Sequence, residues 1–200
     1  SKRLGAKGRV RSQLRTANEC IGLGITSLHT FEEAPDLIRR QVKSILRAQS
    51  AMPLRLTNFI QTNNPLRAAQ LAFTRISAIV LPGNSSPRHT DDWLLGMHSS
   101  PDLTHHTLPI FHEQEALNRF VFEAHCRNMQ VALNAVDTKA IEMALTAFER
   151  AFSRSGRVDA RHRIELCLTP TTDQIQRLAR LGLGVVLPVN GLRSIAEDEL

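Results

Sequence analysis

Tyrosine is absent from the chain, tryptophan occurs once, and eight phenylalanines supply most of an aromatic content of 4%. Proteins that hold unpaired bases stack them on exposed aromatic side chains, and no ribonucleoprotein-type or KH-type pattern is present. Cysteine is also scarce. Cys20, Cys126 and Cys167 are odd in number, far apart and form no CxxC pair, which argues against a disulfide framework or a zinc ribbon and for three reduced, packed thiols. No apolar run approaches the roughly 20 residues that a membrane-spanning helix needs. The basic start from Ser1 to Arg15 is not followed by a signal-type apolar core, so a cytoplasmic protein without membrane contact is expected.

What is abundant is positive charge. Twenty-five Lys and Arg against nineteen Asp and Glu give a net charge of +6 and invite a nucleic-acid reading, because clustered cations displace counterions from phosphates. The distribution argues against it. Lys2, Arg3, Lys7, Arg9, Arg11 and Arg15 precede the first acid, Glu19, so the excess is expected in a basic N-terminal tail over residues 1–13 and not in a groove.

Two hundred residues suffice for one domain with a sizeable core. Short apolar strands alternate with longer stretches of helical periodicity, the mark of parallel βα units, and the pattern repeats six times. Strands are expected at Ile25–His29, Leu54–Ile60, Ile76–Leu81, Gln130–Val136, Arg163–Leu168 and Gly184–Val189. Helices are expected at Pro35–Gln49, from Pro65, at about Glu113–Arg127, at Thr138–Phe152 and, capped by Thr172-Asp173 and ended by Gly182, at Gln174–Leu181. Six such units fit an open doubly wound sheet or part of a (β/α)8 barrel, and periodicity does not separate the two.

The stretch 84–110 breaks the pattern, and loops of that length usually carry function. His89, His98, His105, His106 and His112, with Asp91, Asp92, Asp102, Glu113 and Glu115, crowd in and beside it. That density suits a substitute metal site, yet spacings such as His105-His106 match no established metal pattern, and a polar loop explains them better.

Four blocks carry a likeness: Gly24-Ile25-Thr26-Ser27-Leu28-His29; Asn134-Ala135-Val136 with Ala140-Ile141 and Ala144-Leu145-Ala147-Phe148-Glu149; Arg161-His162-Arg163-Ile164-Glu165; and Asp173-Gln174 with Arg177-Leu178-Ala179 and Gly182. Over Leu14 to Asn190 the chain resembles the middle of an amidohydrolase-superfamily barrel, in the branch that holds N-substituted formamide deformylases and exoenzyme-regulatory metal-dependent hydrolases. The resemblance implies an α/β fold, an incomplete (β/α)8 TIM-type barrel of about six βα units, lacking the first and eighth strands.

In such barrels a metal centre takes a His-x-His pair from the first strand, a lysine from the fourth, one histidine each from the fifth and sixth, and an aspartate from the eighth. By that likeness the lysine slot falls on Val80 and the two histidine slots on Asn134 and Leu166. A leucine donates nothing to a cation and a neutral amide replaces imidazole poorly. No cofactor is therefore expected, zinc being the alternative. The residues left to line a pocket are His29, Asn134, Asp137, His162 and Glu165. Arg163 and Glu165 suit a structural salt bridge equally well, and His29 a satisfied histidine at the barrel mouth. A metal-free nucleophile would have to be Cys167 with His162 as its base, but residues an odd number apart on a strand face opposite ways.

Two functions stay open at this point. One is a degenerate amidohydrolase-like domain that binds a small-molecule ligand or a partner without turnover. The other is a metal-dependent hydrolase acting on non-peptide C–N (amide) bonds. Two missing neighbouring strands would leave the barrel edge open, so a homo-oligomer or a second polypeptide is expected to cover it.

Overall fold

A computed structural model describes residues 6–33, 50, 52–82, 109–157 and 159–188. The helix expected at Pro35–Gln49, nearly all of the stretch 84–110 with His89, His98, His105 and His106, and the end of the last expected strand lie outside these residues.

The first element is a helix, α1 (Ala6–Gly22), so the basic run is helical from Ala6 onward. Gly24 at φ +82° closes it, with the Gly24 N–H donating to Ile21 O at 2.9 Å and the Ile25 N–H to Cys20 O at 2.9 Å. That cap draws Ile25 out of the strand assigned to it. The strand instead spans Ser27–Glu33 (β1) and pairs residue by residue with β2 (Arg55–Gln61). Its second half, Thr30 to Glu33, is too polar to reveal itself by apolar pattern. It is held by the ladder, by Thr30 Oγ1 donating to Asn58 Oδ1 at 2.8 Å and by Phe31 stacked on Phe59.

Asn64 caps the short helix α2 (Pro65–Gln70), accepting the Arg67 N–H at 2.9 Å, and Pro65 occupies the first turn, where no N–H is needed. Then come β3 (Arg75–Val80), a two-residue strand β4 (Ile110–Phe111), α3 (Gln114–Cys126), β5 (Gln130–Asn134), α4 (Thr138–Ser155), β6 (Arg163–Glu165), α5 (Thr172–Arg180) and β7 (Gly184–Val186). Asp137 caps α4 by accepting the Ala140 N–H at 2.8 Å, and Gly156 ends that helix in the left-handed region at φ +68°. Thr171 and Gln174 form a reciprocal capping box at the start of α5.

All strand pairs are parallel, in the order β1-β2-β3-β5-β6-β7. A doubly wound sheet must reverse its strand order at a switch point. Here each new strand joins the same advancing edge, so the sheet curls into a half-barrel of six parallel strands, as expected from the barrel alternative. Both β4 and β5 pair with Ile79, so β4 must occupy the other side of β3, continuing the lane that β2 leaves at Gln61. Among the described residues no helix is long and apolar enough to cross a membrane.

Alternation along the strands sorts their side chains. Ile60, Ile76, Ala78, Val80, Val131, Leu133 and Ile164 join Leu117, Phe120, Val121, Ile141, Leu145 and Phe148 of α3 and α4 in one buried cluster. Burial of each such Ile, Leu or Phe contributes about 1.5–3 kcal/mol, so this layer dominates stability. The residues between them on the strands, including Phe59, Gln61, Ser77, Ile79, Ala132, Asn134, Arg163 and Glu165, are buried on the concave face.

Candidate functional site on the concave face

Active groups of parallel barrels gather at the C-terminal ends of the strands, and there the concave face is polar. Gln61 and Ser77 are register partners between β2 and β3, and Asn134 pairs with Ile79 on one side and Glu165 on the other. All four polar residues are buried. Among the described residues, both amide atoms of Gln61, the Ser77 hydroxyl and Asn134 Oδ1 have no hydrogen-bond partner. Buried polar groups without partners are uncommon and each asks for an explanation.

Arg163 organises the rest. Its guanidinium forms an ion pair with Glu165, lies 4.2 Å from the Phe59 ring centroid and 6.0 Å from that of Phe31, and donates to His29 Nδ1 at 2.7 Å. Because Nδ1 accepts, a neutral His29 carries its proton on Nε2. Partial burial, then the charges of Arg163 and Arg75, keep His29 below the usual histidine range. Burial raises Glu165, and the neighbouring Arg163 only partly offsets it.

Of the residues singled out from the sequence, His29, Asn134 and Glu165 come together here. His162 does not. It lies on the helix side, with its ring stacked against Phe148 and Phe152, accepting the Val131 N–H at Nδ1 (3.0 Å) and lying 2.9 Å from His125 Nδ1 through Nε2. Asp137 is engaged as the α4 cap. Val80 sits in the helix-side core, and alternation puts Ile79 on the inner face beside it. Leu166 is buried at φ +68°, a left-handed conformation that ends β6.

That kink also breaks the alternation that set Cys167 opposite His162. Cys167 is on the helix side too, where burial pushes its thiol up to about 11, and His162 has both nitrogens engaged elsewhere. His112 contacts Leu81 O through Nδ1 at 2.7 Å, Glu113 sits at the α3 N-cap position, and Glu115 pairs with Arg150 at 2.7 Å.

Sequence reasoning passed over Gln61, Ser77 and Phe59. The signal was present: along the apolar strand Leu54–Ile60, the residue after it, and Ile76–Leu81, the polar positions 57, 61 and 77 fall on one face when read two apart.

A model of the amidohydrolase family matches residues 9–188. The chain belongs to the amidohydrolase family. Among solved structures, an uncharacterized metal-dependent hydrolase from Pyrococcus furiosus is similar at a TM-score of 0.58 and 17% identity, over 92% of this chain and 39% of that one. Identity that low carries the fold alone, and this amidohydrolase chain spans well under half the length of that protein. No curated protein sequence matches it.

The described residues of this amidohydrolase do not fit a catalytic cation. No group of three His, Cys, Asp or Glu side chains is placed to hold one. Glu165, on the concave face at the end of β6, already faces the Arg163 guanidinium, a fixed positive charge that repels a second cation.

Proposed function

We propose that this amidohydrolase-family domain binds a small polar ligand on its concave face and does not carry out metal-dependent turnover. The observation that carries the reading is the set of orphaned atoms on Gln61, Ser77 and Asn134 beside the closed Arg163–Glu165 pair. Their chemistry asks for a ligand that both donates and accepts hydrogen bonds, as an amide does. Leu166 and Asn134 at the ends of β6 and β5 support the absence of a metal, since neither replaces imidazole.

Metal analysis after incubation with zinc and dialysis, together with a panel of amide and ester substrates, tests this. The expected result is less than a tenth of an equivalent of zinc and no hydrolysis above buffer. One equivalent of bound zinc with amide cleavage would establish the other reading, a metal-dependent hydrolase of C–N bonds. Strands β1 and β7 each have one neighbour among the described residues, and Val185 and Val186 are exposed. A second copy or another polypeptide is inferred to cover these edges, and a monomer on size-exclusion chromatography of the same purified material argues against a second copy.

A further inference from the structure

At the opposite end of the half-barrel, where the strands begin, a cavity of about 380 Å³ is lined by Thr74, Arg75, Asn128, Gln130, Arg157, Asp159, Ala160 and Arg161. Three of these are arginines, and their pairing differs from that of other arginines in the fold. Arg177 meets Glu142 and Glu149, Arg150 meets Glu115, and Arg163 meets Glu165. Among the described residues the cavity arginines donate to neutral acceptors. Arg75 donates to Gln130 Oε1 at 3.2 Å and to Thr74 Oγ1 at 3.3 Å, and Arg157 donates to Asn128 Oδ1. The Arg157 Nε–H is buried without a partner. Arg161 uses its backbone carbonyl, which accepts from Gln130 Nε2, and its side chain is exposed.

Three guanidinium groups against the single carboxylate of Asp159 leave an excess of two positive charges around one cavity. Two of its wall residues, Asn128 at φ +59° and Arg161 at φ +51°, hold left-handed backbone. For arginine this is an unfavoured conformation. Strain of this kind persists where the surroundings over-determine it, and it clusters at ligand sites.

We propose that this cavity is a binding site for a phosphate dianion, free or as a small phosphate monoester. Planar guanidinium groups present parallel N–H donors that match phosphate oxygens, and charge-assisted contacts of this kind are among the strongest hydrogen bonds in proteins. The orphaned Arg157 Nε–H is the donor that waits for an acceptor. The amides of Asn128 and Gln130 and the Thr74 hydroxyl hold the arginine heads apart and in place. The volume exceeds that of inorganic phosphate, which leaves room for an ester group. The site is separate from the concave face at the other strand ends, so its failure would leave the proposed ligand there untouched.

The test is calorimetric titration of the full chain at low ionic strength with inorganic phosphate, ribose 5-phosphate and, as a carboxylate dianion, succinate. Saturable binding of a phosphate species at one site is expected, with Arg157→Gln and Arg161→Gln each weakening it by about tenfold or more. Arg119→Gln, which removes the same charge from the exposed face of α3, should change it by less than twofold. Asp159→Asn keeps the proposal testable if an arginine variant fails to fold, because removing the opposing carboxylate should tighten binding about threefold or more. Tighter binding of ribose 5-phosphate than of inorganic phosphate would identify the monoester as the source, and the reverse order the free ion. No saturable binding, equal binding of succinate, or equal losses in Arg119→Gln would each overturn the proposal.

Discussion

His162 and Arg163 are neighbours in sequence and stand back to back across the sheet, one under the helices and one on the concave face. On the helix side both ring nitrogens of His162 and of His125 are answered. The Val131 N–H fixes the His162 tautomer, so Nε2 carries the proton and donates to His125 Nδ1; His125 then donates from Nε2 to Ser155 Oγ at 2.7 Å, which also accepts the Arg157 N–H at 3.1 Å. On the concave face of the same sheet, Gln61, Ser77 and Asn134 are equally buried, and both Gln61 amide atoms, the Ser77 hydroxyl and Asn134 Oδ1 are unanswered among the described residues. A satisfied buried network fixes one packing arrangement, whereas an unsatisfied one costs stability that only a ligand restores. The contrast separates a structural polar core from a recognition surface within one sheet.

The largest break in that comparison is expected from His162→Ala. It removes a ring packed between two phenylalanines and orphans both the Val131 N–H and His125 Nδ1, which together should cost about 4 kcal/mol or more. Urea unfolding measures this, and a loss below about 1 kcal/mol would remove the relay from the structural side. Acid gives the same information. Burial first, then His125 and Arg157, lower His162 to about 3 from an unfolded value of 6.5. Its contribution is therefore complete above about pH 6.5 and is lost as pH falls toward 3, with a slope of up to about 1.4 kcal/mol per pH unit. Glu165, raised by burial, works in the opposite sense: its contribution is complete below the unfolded carboxylate range and is lost as pH rises through its folded value. His162→Ala should flatten the acid limb and leave the Glu165 effect in place.

The ion pair comes next. Arg163→Met strands Glu165 against Phe59 and is expected to cost about 3 kcal/mol at pH 7, whereas Arg163→Met with Glu165→Leu should recover most of that, since a buried pair replaced as a unit by apolar groups is often neutral. Additive losses in the double variant would mean that the two side chains act independently and that the organising role given to Arg163 is misplaced.

How much of this was legible in the sequence depends on which force placed each residue. The β3, β5, α3 and α4 core was legible because burial on both faces of a parallel strand leaves a mostly apolar run, as at Ile76–Val80 with Ser77 the one polar residue, and because α4 repeats its apolar positions at helical spacing. The stop at Gly182 was legible from local chemistry, whereas the cap expected at Thr172-Asp173 falls on Thr171, and Asp137, expected in the pocket, caps α4. The second half of β1 was not, since Thr30 to Glu33 is held by a neighbour 28 residues away. Nor was the face of His162: it lies one residue before β6, where alternation gives no register. The same limit hid the bend at Leu166, a backbone conformation that leucine seldom signals. Asn134 was found because a family slot marked it and Glu165 because it stands beside another at a strand end, while Gln61 and Ser77, marked by nothing but their parity along apolar strands, were passed over.

The smallest effect is the most discriminating, because its sign is at stake. Gln61 is buried with both amide atoms unpaired, so Gln61→Met, which keeps the length and drops the polar head, should raise stability by about 1–2 kcal/mol. Most core substitutions destabilise, and the equivalent change on the helix side, at His125, is expected to do so. A gain at Gln61 alongside a loss at His125 would mean that the concave face gives up stability to keep polar groups available, as a recognition surface must. A loss of more than about 1 kcal/mol at Gln61 would mean that its amide is structurally engaged, and the distinction between the two faces of the sheet would then fail at its most exposed point.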